Sequence, residues 1–133
     1  MVADNQDFRS PIKKVRGLGS AHEGVHHWMM QRVTALALIP LVIWLVCSVI
    51  CLKGASYTEF TAWVGSPVNA VLMILFVVAS FYHGVLGAQV IVEDYIKSKT
   101  IKLTKLIGQK LFFIALAIAT IFSILKIAFT AGM

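Results

Sequence analysis

In the stretch FYHGVLGAQVIVEDY, Phe81 to Tyr95, one histidine lies deep inside a run with no charged side chain, and the run closes on Glu93, Asp94 and Tyr95. An imidazole can accept a proton, make hydrogen bonds or ligate a metal. A phenol beside a carboxylate can donate a hydrogen bond in an orientation that the carboxylate sets. The run is apolar enough to enter a membrane, and a polar ring in that medium is costly unless it has a partner. His83 is therefore a functional candidate by default.

At helical spacing Phe76, Ser80, His83, Gly87, Val90 and Asp94 fall along one stripe. Gly84, Gly87 and Ala88 remove bulk beside the ring, which lets another helix approach closely or leaves room for a flat cofactor. An axial haem ligand suits such a place. So does a histidine that hydrogen-bonds to a neighbouring helix. A proton relay is a third reading, but no second ionisable residue inside the spans continues it. A haem with two histidine ligands needs the second from another subunit, because His26 and His27 lie too near the membrane surface to face His83 across one haem. Arg32 and His26 are cations on the side toward which His83 is displaced. They suit the carboxylates of such a haem, Arg32 by a bidentate contact, or equally the phosphates of lipid head groups.

Two acidic residues at a helix C-terminus oppose the helix dipole. Glu93 and Asp94 are either solvated there, with Tyr95 as an interfacial aromatic anchor, or part of a site. In the second case Tyr95 donates to a carbonyl ligand such as a quinone, and Asp94 orients it. A helix rises about 18 Å between His83 and Tyr95, so the two serve neighbouring but distinct sites.

The elements that must position these residues are membrane helices. Of 133 residues, 59% are hydrophobic and 14% charged, against about 45–50% and about 25% in soluble domains. So small a globule cannot hide that excess. Val33 to Leu52 is uncharged and spans about 30 Å as a helix, with Trp28 and Arg32 in the interfacial layer; Pro40 should bend it or loosen its backbone bonding. Ser66-Pro67 is a start signal, a capping serine before a proline at the first helical position. Lys110 and Lys126 flank a third apolar stretch and can snorkel outward. The spans expected are about 28–52, 67–92 and 107–131, in an all-α membrane protein, with residues 1–24 as a polar arm and 25–133 as the transmembrane domain. The arm lacks the apolar core of a secretory signal and is too acidic for a good mitochondrial presequence.

The net charge of +6 lies outside the apolar runs, which argues for membrane topology rather than nucleic acid. Arg9, Lys13, Lys14 and Arg16 share a side with Lys97, Lys99, Lys102, Lys105 and Lys110, while the connection after the first span has only Lys53. The positive-inside rule puts the N-terminus inside and the C-terminus outside. Cys47 and Cys51 read as small hydrophobes rather than a disulfide or a metal site. There is no dinucleotide fingerprint, no cysteine cluster for iron-sulfur and no phosphate-binding loop.

The pattern H-x(3)-G-x-Q-V-x(3)-D-Y, with tyrosine twelve positions after histidine, resembles the small hydrophobic anchor subunit of succinate dehydrogenase, complex II. GVHHWMMQRVTALAL is similar to that family's approach to its first span, and the arm RSPIKKVRGLGSAHEG to its alphaproteobacterial and mitochondrial-type members. The likeness runs from Arg9 to about Lys97; the third span matches in hydropathy alone. The resemblance implies a four-subunit enzyme in which a flavoprotein subunit oxidises succinate and an iron-sulfur subunit relays electrons. A sister three-span anchor packs with this chain, and the two hold haem b and form the ubiquinone site. By the same likeness His83 is one axial ligand of the haem iron, Tyr95 contacts ubiquinone with Asp94 beside it, and Arg32 and His26 lie near the haem propionates. Glu93 receives no role.

The expected function is thus a membrane anchor of succinate:ubiquinone oxidoreductase, not catalytic alone. The alternatives are an anchor of quinol:fumarate reductase and a haem-free membrane scaffold. The expected location is a bacterial inner membrane, a mitochondrial one being the weaker reading, with lipid and the sister, iron-sulfur and flavoprotein subunits as partners and no nucleic acid.

Overall fold

The computed structural model describes residues 21–130; the first twenty residues of the arm and the end expected for the third span, at Ala131, lie outside the described residues. Four helices occur among the described residues: α1 (Ala21–Cys51), α2 (Tyr57–Gly65), α3 (Pro67–Tyr95) and α4 (Lys99–Thr130). Three of them, α1, α3 and α4, are long and apolar enough to cross a membrane. Their lengths of 29 to 32 residues exceed the about 20 that one hydrocarbon thickness needs, so their ends reach past the hydrocarbon.

The chain is all-α, with three membrane-crossing helices, as the apolar runs predict. α1 begins at Ala21, inside the stretch assigned to the arm, and continues through Pro40 without a break. Proline costs it the amide that would bond the carbonyl of Leu36.

Two features differ from the expectation. The basic stretch after α3 is not a long connection. Ile96 to Ser98 alone separate α3 from α4, and Lys99, Lys102 and Lys105 stand on the first turns of α4. KTIKLTKLIGQK has no proline to stop a helix, and its lysines and leucines are good helix formers. Lys102 Nζ donates to the carbonyl of Glu93 at 2.9 Å, filling an orphan acceptor at the C-terminus of α3 with a positive charge.

The second difference is α2, which lies ahead of the expected start at Pro67. Its N-terminus is a capping box: Ser56 N donates to Glu59 Oε2 at 2.7 Å, and Glu59 N to Ser56 Oγ at 3.3 Å. Two donors of Ser56, its backbone N first and its Oγ (2.9 Å from Oε2) second, lower the pKa of the exposed Glu59 carboxyl. Ser66 then takes an extended conformation and Pro67 opens α3. Asn69 Nδ2 ties the corner by donating to the carbonyl of Trp63 at 2.8 Å. Between α1 and α2 the chain turns at Gly54, whose φ of 86° is left-handed and suits glycine.

α3 is the middle helix. It packs on α1 along one side and on α4 along the other, and no Cα of α1 comes within 8 Å of one in α4. The buried core, Val64, Ala70, Val77 and Ile124, joins α2, α3 and α4, with Phe81 and Ile121 packed against it. Phe81 and Phe113 meet edge to face across α3 and α4 at 5.9 Å between ring centroids. Among the described residues, none of the buried core belongs to α1. That helix is held by a Trp44–Trp63 stack at 5.6 Å and by polar contacts to α3.

Candidate functional site

Those polar contacts are made by His83. Its Nδ1 lies 3.0 Å from Thr34 Oγ1, and its Nε2 lies 3.4 Å from Gln31 Nε2. The Thr34 hydroxyl also lies 2.8 Å from the carbonyl of Met30 and 3.1 Å from that of Gln31. His27, Gln31 and Thr34 are spaced i, i+4, i+7, so they form one stripe of α1, and that stripe faces α3. It is incomplete: His27 Nε2 and Gln31 Oε1 are buried without a hydrogen-bond partner among the described residues. Buried polar atoms are nearly always paired, so these two mark a polar patch that the described residues leave open.

The small residues beside His83 do not leave the hollow that their sequence suggests. A Cβ on Gly87 would lie 3.6 Å from Gln31 Nε2, and one on Gly84 would lie 3.4 Å from the Phe113 ring. The two glycines therefore face different helices, Gly87 toward α1 and Gly84 toward α4, and each lets a neighbour close in. The physical reason is angular: a helix turns about 100° per residue, so residues three apart need not share a neighbour. An apolar cavity of about 320 Å³ does lie between α3 and α4, lined by Phe81, Tyr82, Val85 and Phe113 among others. It is on the Gly84 side, away from Thr34 and Gln31.

The other candidates stand apart from His83. Arg32 is exposed and lies over the Trp28 ring, 4.9 Å from its centroid. His26 is exposed as well. It stands six residues before Arg32, hence about 120° from it round the helix. Asp94 and Tyr95 end α3, and Tyr95 is 83% exposed. No hydrogen bond joins His26, Arg32, Asp94 or Tyr95 to His83 among the described residues. Glu93, which received no role from the sequence, accepts from Gln89 Nε2 at 2.8 Å, while its carbonyl holds Lys102. It thereby fastens the end of α3 from which Asp94 and Tyr95 project.

Gln31 and Thr34 carry no role in the sequence analysis, and His27 enters it only as a histidine too near the membrane surface to face His83 across one haem. The signal was present as polar residues at helical spacing along the start of an apolar span. At the far end of α4, Lys126 borders a groove of about 420 Å³ with Tyr57, Thr61, Ser123 and Thr130.

This arrangement can hold an imidazole between two helices and display a phenol at a helix end. Residues 6–125 match the model of the succinate dehydrogenase/fumarate reductase transmembrane subunit family. A succinate dehydrogenase hydrophobic membrane anchor subunit of Rickettsia bellii is 36% identical over 118 residues, 89% of this chain and 94% of the relative. That of Rickettsia prowazekii is 33% identical over 126 residues, 95% and 98% of the two chains. That of Paracoccus denitrificans is 36% identical over 96 residues, 71% and 74%. No solved structure matches. A family model matching nearly the whole chain, on a fold of three membrane-crossing helices, places this multi-pass membrane protein in the succinate dehydrogenase/fumarate reductase transmembrane subunit family.

Proposed function

We propose that this chain is the anchor subunit of a succinate:ubiquinone oxidoreductase that contributes one axial ligand to haem b and part of the ubiquinone-reducing site. The observation that carries the reading is the unfinished polar patch at His83: an imidazole between two membrane helices, with His27 Nε2 and Gln31 Oε1 buried and unpartnered beside it.

The residues fit the cofactor by their donor chemistry. Nδ1 of His83 is engaged by Thr34, and Nε2 has a single long contact, to a side-chain amide that one rotamer change removes. A ligating histidine needs such an arrangement, with one nitrogen held and the other available. Haem b, when bound, supplies a one-electron store. The chain's own residues do the rest. His83 would hold the iron from this side, a sister anchor would supply the second ligand, and the exposed Arg32 and His26 would face the propionates.

The quinone site is the second half of the proposal. Tyr95 projects from the end of α3, and its phenol would donate to a ubiquinone oxygen. That oxygen gains negative charge as electrons arrive, so the hydrogen bond strengthens along the reaction. Asp94, next in the chain, would orient the phenol. The lysines at the start of α4 lie at the same end of α3 as Tyr95, which suits a side that faces the iron-sulfur and flavoprotein subunits. By the positive-inside rule it is the cytoplasmic side of a bacterial inner membrane. The family's description covers fumarate reductases as well; the names of the relatives favour succinate oxidation.

The test is a reduced-minus-oxidised optical spectrum of the purified complex, wild type beside His83→Ala. A b-type signal that is lost or strongly shifted in the variant is expected. An unchanged signal would move the ligand elsewhere, and no signal in either protein would leave a haem-free anchor.

A further inference from the structure

We propose that Thr34 sets the tautomer of His83: it accepts the Nδ1 proton and so presents Nε2 as the free lone pair. This rests on the haem reading for its purpose but on proton counting for its content. Thr34 Oγ1 carries one hydrogen. Its shortest contact is the carbonyl of Met30 at 2.8 Å, a carbonyl can only accept, and a threonine hydroxyl inside a helix commonly bonds back in this way. With the hydroxyl proton committed there, the 3.0 Å contact to His83 Nδ1 needs its proton from the ring. Nδ1 is then the donor and Nε2 carries the lone pair.

The second contact agrees. Gln31 Nε2, an amide donor, is the group nearest His83 Nε2, which it can approach only if that nitrogen accepts. Reversing the amide would need the opposite tautomer. Thr34 would then have to give its proton to Nδ1 and leave the carbonyl of Met30, and an amide NH2 would replace Gln31 Oε1 in the buried, unpartnered position. An orphaned donor there is worse than an orphaned acceptor. Two contacts from two residues thus select one proton position.

Thr34 is a positioning residue. It touches neither substrate nor haem but fixes which nitrogen can ligate and the ring plane in which it does so. A hydrogen bond from Nδ1 also makes the imidazole a stronger donor, which favours ferric over ferrous iron. For Nε2 to ligate, the Gln31 amide that contacts it at 3.4 Å would have to swing aside.

Two measurements decide the proposal. In the purified four-subunit complex, the haem midpoint potential is titrated for wild type, Thr34→Val and Thr34→Ser. Valine keeps the shape and removes the acceptor, so the midpoint should shift upward with haem content retained; serine should restore it. A valine midpoint equal to wild type would overturn the proposal. The second measurement needs no haem. Nitrogen-15 magic-angle-spinning spectra of the full chain in lipid bilayers, labelled at histidine, should assign the proton to Nδ1 of His83 in wild type and lose that preference in Thr34→Val. A proton on Nε2 in the wild-type chain would overturn it. A wild-type complex without b-type haem would defeat the function proposed above, and the nitrogen spectra would still decide the role of Thr34.

Discussion

At the scale of single residues, His83 and Tyr95 are held in opposite ways. His83 is held between helices by Thr34 at Nδ1, while Tyr95 is exposed at a helix end. Pinning suits a group that must present one atom in a fixed direction. Exposure suits one that meets a ligand arriving through the membrane. Replacing Tyr95 with phenylalanine removes a single hydroxyl from an exposed ring, so folding should be untouched. Succinate-to-quinone activity should fall by about 10²–10³, the range for loss of one donor to a developing oxyanion, while succinate oxidation with an artificial acceptor survives. Equal loss of both activities would show that Tyr95 has no place at the quinone.

At the scale of elements, the site depends on how closely α1 and α3 approach. Gly87 permits that approach. Alanine should be tolerated there, because its Cβ would stand 3.6 Å from Gln31 Nε2, an ordinary contact. Gly87→Leu has no such room and should cost about 1–3 kcal/mol by overpacking, read as a lower melting temperature of the complex together with reduced haem content. A leucine variant of normal stability would mean that the helices are spaced by something else. α2 offers a separate test. The Glu59 carboxyl is stabilised in its charged form by Ser56, so its folded pKa lies below the unfolded one. Its contribution to the start of α2 is present above the unfolded pKa and lost as pH falls through the folded value. Amide exchange at residues 57–60 should therefore quicken on acidification in wild type, after correction for intrinsic rates, and lose that pH dependence in Glu59→Gln. An identical profile in both proteins would remove the capping box from the account.

At the scale of the whole molecule, the helices form an open row rather than a closed bundle. α3 separates α1 from α4, and α1 contributes nothing to the buried core. In lipid, apolar exposure costs little, and helices associate through packing and hydrogen bonds. The unpartnered polar atoms of α1 are the part that lipid cannot satisfy. Left open among the described residues, they support the proposal above that a sister anchor packs against this chain. Orientation can be tested directly. With Cys47 and Cys51 changed to alanine, a cysteine at position 53 should react with a membrane-impermeant maleimide in intact cells, and one at position 105 should not. The reverse pattern would invert the topology proposed from the lysines.

The sequence by itself determined the fold class, the three spans and the approximate place of each candidate residue. These follow from apolar run length against bilayer thickness and from the proline at the start of α3, which are local properties. The S-x-x-E signal of α2, Ser56 to Glu59, is legible too but lies in the connection after the first span. The basic segment after Tyr95 lies between the apolar runs, but its lysines and leucines are good helix formers with no proline among them, and Lys99 onward is helix. What only the tertiary structure decided is which groups meet. Helical spacing placed Gly84 and Gly87 beside His83, but the positions of α1 and α4 gave one glycine to Gln31 and the other to Phe113. The pairing of His83 with Thr34 joins residues 49 apart, and no periodicity within either helix encodes how the two rotate against each other. That rotation is set by side-chain packing along the whole length of α1 and α3, which exists only once both helices are side by side.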